Sequence, residues 1–133
     1  MIKNRIHYVS RSEAAAVKKS LDQSIFVVEL NGKEIQSDDN YLRWVWEAFK
    51  FPYPDEKPSW SGYDDWIRDM NWIDADGFAL FIYNFAKFMK KDERSKTAFV
   101  AHFQDFILPF WEDEVTWVFV GGKAKLFNVY LVE

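Results

Sequence analysis

A chain of 133 residues is long enough for one domain, and with 49% apolar and 20% aromatic residues it can bury a substantial core. It has no cysteine, which excludes disulfides, a thiol nucleophile and thiolate metal sites, and its two histidines, His7 and His102, are too few and too far apart in sequence to suggest a His-rich metal centre. The net charge of −4 is concentrated: residues 37–76 hold ten acidic and four basic side chains, a field that disfavours a phosphate backbone and favours a basic partner. Thirteen Phe and seven Trp exceed what a small core usually needs, which hints at an interface. The N-terminus has no apolar run of signal-peptide length, and no stretch approaches the roughly 20 apolar residues of a membrane span. A soluble, cytoplasmic protein is the expectation.

Residues 1–24 read as an N-terminal extension with a short helix. Ser10 and Ser12 are candidate caps, and Glu13 to Leu21 has helical composition. Whether Ile6-His7-Tyr8-Val9 forms an edge strand is open. The main domain is expected over 25–133. Ile25-Phe26-Val27-Val28-Glu29-Leu30 is β-branched and apolar, as in a strand covered on both faces. Asn31-Gly32 turns the chain, and Ser37-Asp38-Asp39-Asn40 caps a helix from Tyr41 to about Lys50.

Pro52, Pro54 and Pro58 stiffen the next loop. A central helix is then predicted through Ile73, with Ser61 and Asp64 at capping-box spacing. On that helix Tyr63, Trp66, Ile67, Met70 and Ile73 share the inner face. Ser61, Asp65, Arg68, Asp69 and Trp72 share the outer one. Asp65 and Asp69 stand four apart, where like charges repel, so the fold gains nothing from that spacing.

Gly77 to Tyr83 is a second apolar strand. Helical segments are predicted from about Phe85 to Lys91 and from about Ser95 to Phe110. In the latter, Phe99, Phe103, Phe106, Ile107 and Phe110 form an apolar stripe, and Pro109 should bend or end it. Thr116 to Val132 reads either as a hairpin on Gly121-Gly122 or as a loop and one strand, with Lys125 to Val132 the safer strand. The fold class is therefore α/β: a small three-stranded parallel sheet with flanking helices and a possible C-terminal hairpin arm.

No phosphate-binding glycine loop, zinc motif or nucleophile elbow occurs, so no cofactor and no metal is implied. A carboxylate-pair enzyme using Asp65 with Asp64 or Asp69 is conceivable, but nothing suggests the burial that would separate their pKa values.

Four features resemble the barstar family, intracellular inhibitors of barnase-type ribonucleases. They are Phe26-Val27-Val28-Glu29-Leu30-Asn31-Gly32-Lys33-Glu34-Ile35; Ala48-Phe49-Lys50-Phe51-Pro52; Asp65-Trp66-Ile67-Arg68-Asp69-Met70-Asn71-Trp72-Ile73; and Phe127-Asn128-Val129-Tyr130-Leu131. The resemblance implies a three-layer barstar-like fold, no catalysis, and a nuclease partner gripped by protein contact. Carboxylates on the binding helix and its preceding loop would take the place of RNA phosphates. The family's central carboxylate falls on Asp65, its neighbouring aromatic on Trp60 and a loop tyrosine on Tyr53. The implied contact set is Tyr53, Trp60, Ser61, Asp64, Asp65, Asp69 and Trp72, on a protein that is monomeric when free. The family loop commonly reads Y-F-G-x-N-W-D-A. Here Tyr53-Pro54-Asp55-Glu56-Lys57-Pro58-Ser59-Trp60-Ser61-Gly62 lacks its Gly, Asn and first Asp, and Asp55, Glu56 or Asp64 stand nearby as substitutes. The other reading is a non-inhibitory interaction module that uses the aromatic surface.

Overall fold

Among the described residues four parallel strands form the sheet, each at a β-branched or aromatic run. The computed structural model describes residues 3–52, 57–114 and 124–133. The strands are β1 (Ile6–Val9), β2 (Ile25–Asn31), β3 (Gly77–Tyr83) and β4 (Leu126–Val132), in the spatial order β1-β4-β3-β2. Strand β3 is central and buried from Gly77 to Ile82, pairing Phe78 with both Phe26 and Phe127. Strand β2 lies at an edge. Its Val28 and Leu30 reach the core, while Glu29 is exposed and holds Lys18 at 2.7 Å. It is therefore less covered than its apolar sequence predicts.

The expected three strands become four because β1 pairs with β4, Ile6 to Val9 against Val129 to Val132. Four residues without a turn signal are too short for local pattern to decide; an unpaired β4 edge decides it. Asn4 fastens the junction with both ends of its amide. Its Nδ2 donates to the carbonyls of Leu108 and Lys125, each at 3.2 Å, and its Oδ1 accepts the Phe127 amide at 2.8 Å. Its backbone N–H donates to Glu112 Oε1 at 2.8 Å. Asn4→Ala is expected to cost about 1–3 kcal/mol, because it strands partly buried partners. A urea unfolding midpoint within error of wild type would refute this.

Helix α1 (Arg11–Ser20) leaves β1 at one edge and delivers β2 at the other, so it crosses the whole second face. Ser10 is its cap, in a capping box with Glu13. Ala14, fully buried, brings it close to Ala79, Phe81, Tyr130 and Val132. The first 24 residues thus supply one strand and one entire helical layer.

The opposite face carries the larger core, packed by α2 (Asp38–Ala48), α3 (Trp60–Ile67) and α4 (Glu93–His102). Helix α2 starts at Asp38, earlier than the predicted Tyr41, because Ser37 caps it by accepting the Asn40 amide. At the β2 exit, a Cβ on Gly32 would lie 2.6 Å from the Asn84 carbonyl oxygen, so only glycine fits there. The predicted helix from Phe85 to Lys91 is a single 3₁₀ turn, Phe85–Lys87.

Beyond α4 the chain widens into π turns at Phe103–Ile107 and Phe110–Glu114. Helical backbone continues through Pro109, so the proline does not end it. Wide turns accommodate a residue that has no N–H to give. The first half of the possible hairpin from Thr116 to Val132, residues 116–123 with the Gly121-Gly122 turn, lies outside the described residues; the second half holds β4. Among the described residues no helix is long and apolar enough to cross a membrane.

Tyr83, at the end of β3, donates its hydroxyl to Glu29 Oε2 at 2.6 Å. Burial, and then that carboxylate, push its pKa from 10.0 to about 12. Between these values the folded chain keeps a proton that the unfolded chain has lost. Stability from this group is intact below about pH 10 and falls as pH rises through about 12. Tyr83→Phe should flatten part of that alkaline decline, read as urea midpoints across the window; an unchanged slope would count against it.

Candidate protein-binding surface

Helix α3 is built to hold still. Ser59 caps it by accepting the Gly62 amide at 3.1 Å. A Cβ on Gly62 would lie 2.8 Å from Cη2 of Trp46, so glycine here lets α3 settle against α2. Tyr63 and Ile67 are buried. The Tyr63 hydroxyl meets that of Tyr41 at 2.7 Å, and burial raises the pKa of both phenols, so they stay neutral. At the far end the indole N–H of Trp111 donates to the Ile67 carbonyl at 3.0 Å.

The helix stops at Ile67, six residues before the predicted end. Met70 takes a left-handed φ of 52° and is buried, so the chain turns back on itself. Such a conformation costs a non-glycine residue about 1–2 kcal/mol, and burial of the Met70 side chain offsets it. Met70 and Ile73 still enter the core, but from a turn rather than from a helical face.

The proposed contact residues therefore separate. Trp60, Ser61, Asp64 and Asp65 stand on α3. Trp60 is 41% exposed, stacked on Tyr41 at 5.9 Å and edge-on to Tyr63 at 5.2 Å. Ser61 is exposed in the first turn, the cap position being Ser59. Asp64 is not in a capping box; its Oδ1 pairs with Nε2 of His102 at 2.9 Å. Arg68, expected to neutralise Asp64 or Asp69, donates instead to the Asp64 backbone carbonyl at 3.1 Å. Asp65 is exposed and has no ion pair or hydrogen-bond partner among the described residues.

Asp69 lies beyond the helix, half-buried, accepting the Asn71 amide at 3.3 Å. Trp72 is half-buried in the same turn. Its indole donates to the Phe49 carbonyl at 3.0 Å and packs edge-on against Trp66 and Phe51. Tyr53, Asp55 and Glu56 lie outside the described residues.

Two neighbours escape sequence reasoning. His102, at the end of α4, lies beside Asp64 only because α3 and α4 pack together. Phe106 is expected in the core stripe, yet it is 64% exposed and edge-on to His102 at 5.6 Å. The π turn keeps Phe103 and Ile107 inside and leaves Phe106 out. The spacing of four between His102 and Phe106 is the available signal, masked by the number of phenylalanines around it. A recess of about 190 Å³ between the two helices is lined by Asp64, Arg68, His102 and Phe106.

Among the described residues the surface thus combines one carboxylate without a partner, one carboxylate held by an imidazole, and two exposed aromatic rings. Among the described residues no group of three or more His, Asp or Glu is placed to hold a metal ion, and the hydrogen-bonding contact of His102 is Asp64. This arrangement suits contact with a protein. A sequence model of the family described as "Barstar (barnase inhibitor)" matches residues 25–120. No curated protein and no solved structure matches the chain.

Proposed function

We propose, from the premise that this chain belongs to the barstar family of barnase inhibitors, that it blocks the basic active site of a ribonuclease-type nuclease with the outer face of α3 and the loop before it. The family role is ribonuclease inhibition by protein contact; the use of α3 here is the reading added. One observation carries it: Asp65 is exposed and, among the described residues, unpartnered on a helix whose inner face and both ends are fixed. A carboxylate held that way needs no reorganisation to meet an Arg or Lys that normally binds phosphate. Asp64 and Asp69 would add charge beside it. Trp60 and Ser61 would add contact area, Tyr53 would extend it from the loop, and Trp72 would brace the turn.

The test is inhibition of RNA cleavage by a barnase-type ribonuclease titrated with this protein. A sharp end point at one inhibitor per enzyme supports the reading; undiminished cleavage by every basic ribonuclease tried opposes it. Association should also slow steeply between about 0.1 and about 1 M salt, as the screening length falls from about 10 to about 3 Å. Stopped-flow rates that ignore salt would point to an apolar interface instead. The exposed Trp60 and Phe106 favour that second reading, a non-inhibitory module, and it would show as self-association without nuclease binding.

A further inference from the structure

A separate cavity of about 310 Å³ opens between the first turn of α2, α3 and α4, next to the acidic helix face. Its walls are mainly Tyr63, Ala98 and Phe99, with Ser95, Trp60, His102 and Asp38 around them. That volume is at the low end for ligand pockets, room for one long side chain rather than a helix. The walls are held in place. Trp60 rests on Tyr41, His102 is fixed by Asp64, and Phe99 packs against Tyr41 at 5.1 Å and Phe103 at 5.2 Å. At the rim Asp38 is exposed and has no ion pair or hydrogen-bond partner among the described residues. Among the described residues no Lys or Arg lines the cavity.

We propose that this cavity receives an arginine side chain from the basic partner, a second anchor point beside Asp65. An apolar throat with a carboxylate at its mouth and an indole in its wall suits a long apolar stem ending in a cation. Arginine fits better than lysine because its planar guanidinium is weakly hydrated and stacks on aromatic rings. A purely apolar occupant would leave Asp38 desolvated and unpaired, and an acidic one would be repelled by it. The inference rests on the reading of α3 as the partner-facing surface.

The probe is N-acetyl-arginine amide, titrated into the protein by NMR, with the neutral isostere N-acetyl-citrulline amide as control. The arginine probe should give saturable shifts centred on Trp60, Ala98 and His102, with the citrulline probe at least about fivefold weaker. Asp38→Asn should weaken the arginine probe by a similar factor. Ala98→Leu, which fills the cavity from an exposed position, should abolish its binding without loss of fold. Asp65→Ala should leave it within about twofold. Equal response to both probes, unsaturable shifts over all carboxylates, or dependence on Asp65 rather than Asp38 would overturn the proposal. Loss of probe binding with intact nuclease inhibition removes this pocket alone. Probe binding as expected, with no basic nuclease inhibited, keeps the pocket and removes the inhibitor reading.

Discussion

Asp65→Ala is expected to weaken the complex with a cognate basic nuclease by at least about 2 kcal/mol, roughly thirtyfold in Kd, with most of the loss in the dissociation rate. The melting midpoint should stay within about 1 °C, because an exposed carboxylate with no partner among the described residues contributes little to folding. A contact residue moves the affinity and leaves the midpoint, and a structural residue does the reverse. A variant that binds normally but melts early would make Asp65 part of the scaffold. Asp64 should behave differently. Its carboxylate is held by His102, so its removal should disturb the α3–α4 contact as well as any partner contact.

Trp111→Ala should have the largest effect on stability, about 3–5 kcal/mol. The ring is fully buried against Phe78 at 5.3 Å and Phe110 at 5.4 Å, so truncation leaves a cavity that close-packed neighbours cannot refill. It also takes the indole N–H away from the Ile67 carbonyl, an acceptor at the end of α3. Trp111→Phe separates the two contributions. It keeps most of the apolar area and loses the hydrogen bond, for about 1–3 kcal/mol. Urea midpoints of the two variants should therefore fall in that order. Equal midpoints would mean the hydrogen bond alone sets the cost. The same variants should loosen the far end of α3, so a drop in nuclease affinity is expected of Trp111→Phe although residue 111 is buried.

Much of the fold is legible in local sequence pattern. The apolar runs starting at Ile25, Gly77 and Leu126 form strands, and Ser10 and Ser37, next to helical patterns, are caps. The inner positions Tyr63, Ile67, Met70 and Ile73 do enter the core. The helical period nevertheless gives the wrong reason for two of them, since Met70 and Ile73 arrive from a turn. Periodicity reports which residues are apolar and spaced for one face; it does not report where a Trp111 N–H ends the helix or where an Asp69 side chain organises a turn.

The candidate surface is legible only in part. Trp60, Asp64 and Asp65 come from one short segment, where composition and the barstar resemblance coincide. Helix-wheel reasoning puts Asp69 and Trp72 on the same face, but the chain has turned before reaching them. It misses His102 and Phe106 because they come from α4 and the turn after it, and no local rule brings a residue near 102 to one near 64.

Local pattern is thus enough for an α/β chain with apolar strands near 25–30, 77–83 and 125–132, two well-capped helices and an acidic middle third. Long-range packing is needed to bring β1 into the sheet, to turn Phe106 outward, and to tie Asp64 to His102 while leaving Asp65 without a partner among the described residues. The division has one physical cause. Propensity, capping and hydrophobic period act between residues a few positions apart. Edge pairing, side-chain neutralisation and exposure depend on which distant segment the chain folds against.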